Sequence, residues 1–358
     1  MTRLITIGWE SGDLGEQNVA FIGSPGQQYL VNSIVSSSPT PRTPGLYAVR
    51  VGVNNAGASA YMSIPLGGPK TEIWVRVGVY LPSNPGLSNT SEGTFIYFWD
   101  SAGSRQGDIR LGGSDLSLRA YGASQIASSG QATMGYDSWH TVEVHWLISG
   151  TTTGTCEVFL DGGRVINVQG NADTSNTTTL NVNNIGFGMF GGAAGSTQYI
   201  FDDIAVNDTL GSYNNSRIFD GRIVWLHPNG PGSNTQLTRG GTDSGANWGQ
   251  VSEGVPSMAQ YVQSSVVGQR DTYALQDLPA GSWFVNSVDA IAYGQLSDPT
   301  GGYLAPTIVS GATTNEGTAI SLPVSPIYIR QQYEFDPNTS SAWTNAAVNA
   351  MEAGVTVR

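Results

Sequence analysis

Apolar and polar residues alternate most regularly between positions 137 and 163, in the stretch DSWHTVEVHWLISGTTTGTCEVFLDGG. A period of two residues indicates β-strands, and the Thr- and Gly-rich segment between two alternating runs predicts a long β-hairpin. Its predicted core face carries Val142, Val144, Trp146, Ile148, Cys156, Val158 and Leu160. A turn centred near Thr152 predicts the cross-strand pairs Ile148 with Cys156, Trp146 with Val158, and Val144 with Leu160.

The same alternation recurs along the rest of the chain and predicts about a dozen strands in the first 210 residues. Between positions 207 and 221 it is lost and turn residues accumulate, which indicates a domain boundary. We therefore expect two domains, residues 1–212 and 217–358, because 358 residues exceed what one hydrophobic core usually holds. The second domain repeats the β pattern and has one predicted helix at 341–351, capped by Thr344.

The amino-acid composition supports a β-sandwich and excludes some classes of binding partner. Charged residues make up only 12% of the chain, Gly numbers 47, and 9 Trp, 15 Tyr and 10 Phe supply core material, which argues against disorder. The net charge is −12 and Lys70 is the one lysine, so binding to nucleic acid or to an anionic membrane is not expected. The single cysteine, Cys156, excludes an internal disulfide, and the start of the chain does not predict a signal peptide. We therefore expect synthesis and folding in a reducing cytoplasm.

Three segments resemble the concanavalin A-like lectin and laminin-G superfamily: SWHTVEVHW, CEVFLDGG and FDDIAVND. The resemblance implies a two-sheet jelly roll over the first domain, so the expected fold class is all-β, with this sandwich followed by a smaller C-terminal β-sandwich and one short helix.

The second half resembles bacteriophage virion structural proteins through FDGRIVWLHPNGPG, YVQSSVVGQRDTYALQDLP and EFDPNTSSAWTNAAVNAMEAGVTV. This implies a non-enzymatic virion surface protein, either a capsid decoration protein or a tail-associated adhesin. Its partners would be other virion proteins, copies of itself in a homo-oligomer with a trimer favoured, and a host-surface glycan.

Candidate binding residues follow from the lectin resemblance. Lectins stack an exposed ring on a sugar and hydrogen-bond its hydroxyl groups, so Trp99 and Asp100, at the end of an aromatic strand, are candidates, together with His145 on the outer face of the hairpin. Asp202 and Asp203 are candidate Ca²⁺ ligands, since this cation prefers oxygen. No other cofactor is expected. A structural role for each of these residues stays open, because most Trp side chains are core and neighbouring strand residues point to opposite faces.

The alternative function is a polysaccharide-degrading glycoside hydrolase or depolymerase of jelly-roll fold. Glycosidases need two carboxylates on one face, and the usual Glu-x-Asp-x-x-Glu strand is absent. The predicted register places Glu143 opposite Asp161, a possible dyad for which solvated strand ends are the simpler interpretation. His140 and His145 have opposite strand parity, and no serine or cysteine lies in a recognisable nucleophile motif. The sequence therefore predicts no catalytic residue.

Overall fold

The structure, a computed structural model, describes residues 3–16, 19–23, 30–53, 59–83, 92–112, 115–190, 197–241 and 245–358. The chain forms two compact units, one made of Met1–Glu10 and Val19–Ile223 and the other of Ser11–Asn18 and Val224–Arg358. The strands of the first unit are β1 Arg3–Ile7, β2 Ala20–Gly23, β3 Leu30–Val35, β4 Ala48–Val53, β5 Ser59–Lys70, β6 Glu72–Tyr80, β7 Glu92–Trp99, β8 Arg105–Gly112, β9 Ser117–Tyr121, β10 Gln125–Thr133, β11 Trp139–Leu147, β12 Gly154–Leu160, β13 Gly163–Ala172, β14 Val182–Phe190 and β15 Thr197–Asp208.

The first unit is a sandwich of two antiparallel sheets. The eight-stranded sheet has the order β13-β12-β11-β6-β15-β4-β3, with β1 on β15, and the seven-stranded sheet has the order β10-β9-β8-β7-β14-β5-β2. Alternate residues of each strand fill the space between the sheets, where Trp146 of β11 meets Phe98 of β7 with ring centroids 5.2 Å apart. The predicted all-β fold class, with a jelly-roll sandwich first, is confirmed.

The hairpin of β11 and β12 has the predicted faces but a different register. Val142, Val144, Trp146, Cys156 and Val158 are completely buried. Trp146 pairs with Cys156 and Val144 with Val158, so the predicted pairs are wrong by two residues. The reason is that β11 ends at Leu147 and leaves Ile148 in the loop, which moves the centre of the hairpin by one residue. Such a move shifts every pair by two and therefore keeps each side chain on its face.

The segment that follows β15 has little regular structure, yet it packs on the first unit. Ile218 is buried against Trp74 and Phe159, and the Glu143 carboxylate accepts the backbone N–H groups of Ile218 and Phe219. Residues 213–223 thus lie with the first unit, beyond the limit of 212 that the sequence predicted. That the two parts fold separately stays a prediction.

The second unit is also built from antiparallel sheets. Its elements are β16 Pro228–Thr235, β17 Thr238–Gly241, a 3-10 helix at Asn247–Gln250, β18 Gln260–Gln263, β19 Arg270–Leu275, β20 Val288–Gly294, β21 Tyr303–Ser310, β22 Thr313–Glu316, β23 Ile320–Ser321, β24 Ile327–Tyr333, α1 Asn345–Ala350 and β25 Glu352–Val357. The order β16-β19-β25-β21-β22, with β23 on β21, forms one sheet, while β17 pairs with β18 and β20 with β24.

Helix α1 is shorter than the predicted 341–351 but begins at the predicted cap, where the Thr344 hydroxyl accepts the Ala347 N–H at 3.1 Å. Val348 of the helix is buried with Ile308 and Trp343 in the core of this unit. Among the described residues, no helix has the length and apolar character needed to cross a bilayer.

Candidate functional site

Four aromatic rings form a cluster on the outer face of the seven-stranded sheet. This aromatic cluster consists of Tyr61 of β5, Tyr97 and Trp99 of β7, and Phe190 of β14, all half-buried. Ring centroids lie 4.4 Å apart for Tyr61 and Phe190, 4.6 Å for Tyr97 and Phe190, and 4.5 Å for Tyr97 and Trp99. The pattern of β7 explains the orientation, because the alternating residues Ile96 and Phe98 are buried in the core. Trp99, a predicted binding residue, is therefore on an outer face among other rings.

Gly186 of β14 makes room for this cluster. It pairs with Tyr97 on the neighbouring strand, and a Cβ atom at this position would lie 2.5 Å from the Trp99 ring and 2.6 Å from the Phe190 ring. Any other residue would push the rings off the sheet. The glycine lets the aromatic side chains lie close over the strands and form one continuous surface.

A charged cluster adjoins the aromatic cluster on the same face. It consists of Glu92 of β7, Asp108 and Arg110 of β8, and Arg119 and Tyr121 of β9. Asp108 pairs with Tyr97 on one side and with Tyr121 on the other. Cross-strand partners are nearest neighbours on a sheet face, so the two clusters are in contact.

Arg110 links the two carboxylates of the charged cluster. Its Nε lies 2.7 Å from Asp108 Oδ1 and one terminal nitrogen lies 3.3 Å from Glu92 Oε2, while its guanidinium carbon lies 3.7 Å from the centre of the Tyr121 ring. Arg105 Nε lies 2.7 Å from Asp108 Oδ2 on the other side. Glu92 also accepts hydrogen bonds from Arg119 and, at 3.0 Å, from the Tyr121 hydroxyl.

The two carboxylates have opposite pKa shifts. Burial raises the pKa of Asp108, in spite of its pairs with Arg110 and Arg105. Burial also acts to raise the pKa of Glu92, but the hydrogen bonds from Arg119 and Tyr121 outweigh it and hold that pKa below its usual value. Asp108 therefore takes up a proton more readily than an ordinary aspartate, and Glu92 stays ionised. The sequence did not single out this pair, because its members lie on different strands.

The other predicted binding residues do not lie beside Trp99. Asp100 is buried and holds a turn, since its carboxylate accepts the N–H groups of Ala102 and Ser104 and the Thr177 hydroxyl. His145 lies on the outer face of the other sheet, with Nε2 2.8 Å from Glu72 and Nδ1 2.9 Å from Glu157. The predicted set of Trp99, Asp100 and His145 is therefore spread over three different environments.

Asp202 and Asp203, the predicted Ca²⁺ ligands, lie around a cationic side chain. Asp203 Oδ2 is 3.0 Å from an Arg42 guanidinium nitrogen, and Asp202 accepts the backbone N–H of Arg42. A bulge after Asp202 and the φ of 52° at Asp203 bring both carboxylates to this arginine. A guanidinium in that position does not fit a Ca²⁺ site, and the described residues contain no group of three or more His, Cys, Asp or Glu that could hold a metal ion.

The hypothetical carboxylate dyad of Glu143 and Asp161 does not form. Glu143 pairs with Phe159 across the hairpin and is 3.1 Å from Arg217. Asp161 follows β12 in the next turn, where it lies 2.7 Å from His140. The difference follows from the two-residue change of register described above.

Comparisons with known proteins concern the fold. No family model matches the chain, and no curated protein matches it. Among solved structures, the cellulose-induced protein Cip1 is 17% identical, with 61% of this chain and 100% of that chain covered and a TM-score of 0.47. The endo-β-1,4-glucuronan lyase from the fungus Trichoderma reesei is 16% identical over 57% and 95% of the two chains, with a TM-score of 0.45. The alginate lyase vAL-1 from Chlorella virus is 14% identical, with 57% of this chain and 99% of that chain covered and a TM-score of 0.39.

These findings correct the expected function. A non-enzymatic virion surface protein was predicted, whereas the similar structures include several polysaccharide lyases, so that the prediction is not supported. They include no evidence specific to a bacteriophage. Location on a virus particle and association with other virion proteins stay predictions. Likenesses this weak do not assign a reaction, which has to be argued from the residues of this chain.

Proposed function

We propose that the first unit degrades a polysaccharide held across the outer face of its seven-stranded sheet. The observation that carries this proposal is the contact between the aromatic and charged clusters, made where Tyr97 pairs with Asp108. Aromatic rings offer a flat apolar surface for a sugar ring, and a few charged groups beside them fix the orientation of its hydroxyl groups. A chain of sugars that lies on the aromatic cluster would extend along the same face toward Glu92 and Arg110.

The carboxylate pair supports hydrolysis as the reaction. A glycosidase uses one carboxyl group as an acid and one as a base or nucleophile, and divergent pKa values identify such a pair. Asp108, with its raised pKa, is the candidate acid, and Glu92, which stays ionised, is the candidate base or nucleophile. Both bond to Arg110, which keeps them close together. The Asp108 side chain is only 2% exposed beneath Arg105 and Arg110, so one of these side chains has to move when substrate binds.

A test of this proposal is cleavage of a panel of neutral and uronic acid polysaccharides by the full chain. We expect new reducing ends with the wild-type protein and a loss of at least about 100-fold with Glu92→Gln, as for loss of a general acid–base group. Glu72→Gln is the matched control, because Glu72 is 28% exposed against 22% for Glu92 and is also hydrogen-bonded, to His145 on the other sheet. This control should cleave at the wild-type rate.

The products separate the possible reactions. Hydrolysis gives saturated sugars, whereas elimination from a uronic acid polymer gives an unsaturated ring that absorbs ultraviolet light. Unsaturated products would keep the polysaccharide-degrading function and reject the hydrolytic roles of Glu92 and Asp108. No cleavage of any polymer, or equal activity of Glu92→Gln and Glu72→Gln, would contradict the proposed site.

A further inference from the structure

Ser138, His140 and Asp161 are linked by hydrogen bonds near the start of β11, on the eight-stranded sheet. Ser138 Oγ lies 3.0 Å from His140 Nε2, and His140 Nδ1 lies 2.7 Å from Asp161 Oδ2. This is the order of contacts found in Ser-His-Asp triads, in which the aspartate orients the imidazole and the imidazole takes the serine proton. The arrangement is separate from the aromatic and charged clusters, which belong to the other sheet.

The backbone fixes the aspartate. Asp161 and Gly162 form the two-residue loop between β12 and β13, with φ values of 50° and 85°. Two positive φ angles are what a type I′ hairpin turn requires. The Asp161 carboxylate is held by a second bond, from the Thr141 N–H to Oδ1 at 2.8 Å, so its other oxygen faces His140.

A backbone amide identifies the tautomer of His140. The Gly135 N–H donates to Nε2 at 3.0 Å, which requires that nitrogen to be unprotonated. The ring proton of neutral His140 is then on Nδ1, where it donates to Asp161, and the single lone pair of Nε2 is shared between the Gly135 N–H and the Ser138 hydroxyl group. The Tyr136 carbonyl is a second acceptor for the Ser138 hydroxyl but lies farther away, at 3.4 Å.

We propose that Ser138, His140 and Asp161 form a second catalytic site that hydrolyses an ester. Ser138 Oγ bonds to the ester carbonyl carbon while its proton passes to His140 Nε2. The bond from that carbon to the alcohol oxygen then breaks, and the leaving alkoxide takes the proton from Nε2. Water attacks the acyl group on Ser138 and gives its proton to Nε2, the carboxylic acid is released, and the proton returns to Oγ.

The surroundings indicate the class of ester. Ser138 is partly exposed, and the Asp161 side chain is 51% exposed, so the alcohol part can be large. Asp137 precedes the serine in the chain and Asp161 bonds to its histidine partner, and negative charge at both residues disfavours an anionic acyl group. The expected substrate is therefore an uncharged, short acyl ester of a surface-accessible hydroxyl group. When Nε2 is protonated, the Gly135 N–H loses its acceptor and becomes available to the carbonyl oxygen.

The test uses p-nitrophenyl acetate and a fluorophosphonate probe on the full chain. We expect hydrolysis with a burst, and phosphonylation that mass spectrometry locates on Ser138. Ser138→Ala removes only the hydroxyl group, and it should lower kcat/KM to that of the unfolded protein. Ser149→Ala is the control, since Ser149 is a partly exposed serine that bonds to Thr151 and Thr153 instead of a histidine.

Asp161 is a positioning residue, so its variant needs a more specific readout. Asp161→Asn should lower kcat by up to about 10⁴-fold with KM nearly unchanged, because the amide stabilises the wrong imidazole tautomer. Equal hydrolysis by the wild type, Ser138→Ala and Ser149→Ala, or absence of the probe from Ser138 in folded protein, would overturn the proposal. Ser138→Ala leaves the outer face of the other sheet intact, so polysaccharide cleavage should persist in it and the two proposals can fail separately.

Discussion

Among single residues, Arg42 is a buried cation that contacts several carboxylates of the first unit. Its side chain is 4% exposed, and its guanidinium bonds to Asp203, Asp220 and the Thr141 hydroxyl. Burial, together with the neighbouring Asp203, raises the pKa of Asp202, and burial raises the pKa of Asp203 although Arg76 and Arg42 oppose it. The arginine therefore compensates carboxylates that the fold has removed from water.

Removal of the Arg42 side chain should lower the stability of the protein. We expect Arg42→Ala to lower the free energy of unfolding by about 3 to 5 kcal/mol, because buried carboxylates lose their partner. Arg164→Ala, at an arginine that is 45% exposed and paired with Glu157, should cost less than about 1 kcal/mol. Urea unfolding of both variants is the measurement. Similar small losses would show that the Arg42 cluster is solvated.

Glu157 should make stability depend on pH. Burial acts to raise its pKa, but hydrogen bonds from His145, Arg164 and Gln169 outweigh this and lower it. Because the folded pKa lies below the unfolded one, the stabilisation is complete above the unfolded value and is lost as pH falls through the folded value. Glu157→Gln should therefore destabilise the protein at neutral pH and flatten its stability curve between about pH 5 and pH 3. Parallel curves for variant and wild type would disagree with this.

At the scale of elements, the hairpin of β11 and β12 shows what the sequence can predict. The alternation of apolar residues identified both strands and their buried faces, because side-chain direction follows from the period of two. The pairing depends on where the loop begins, and Thr- and Gly-rich residues do not mark that point. For the same reason the sequence did not predict the contact between Asp161 and His140. It also did not predict the charged cluster, because the members of that cluster come from three strands. Trp99 could be recognised because it ends an aromatic strand.

The burial of this hairpin gives a mutational prediction. Trp146 is completely buried and its Nε1 donates to the Thr174 carbonyl, so Trp146→Ala should cost about 3 to 5 kcal/mol. The change of His145, its neighbour on the outer face, to Ala should cost less than half as much, because the losses are limited to the stack on Trp74 and the hydrogen bonds to Glu72 and Glu157. Thermal and urea unfolding compare the two. Equal losses would place both side chains in the core.

For the whole molecule, self-association stays a prediction, with a closed trimer favoured. The second unit offers a candidate contact in Tyr261, which is 38% exposed. We expect light scattering at micromolar concentration to give an oligomer for the full chain and a monomer for residues 1–223. A monomer in both cases, or the same oligomer in both, would reject association through the second unit.

The measurement that tests the central claim most directly is hydrogen–deuterium exchange of Glu92→Gln with and without an oligosaccharide from the cleaved polymer. This variant should bind without turnover, so the occupied surface can be located. We predict slower exchange in β7, β8 and β14, whose outer face carries the aromatic and charged clusters, and no change in β11 and β12. The additional change Trp99→Ala should abolish the protection. Protection confined to β11 and β12, or unaffected by Trp99→Ala, would contradict a polysaccharide site on the seven-stranded sheet.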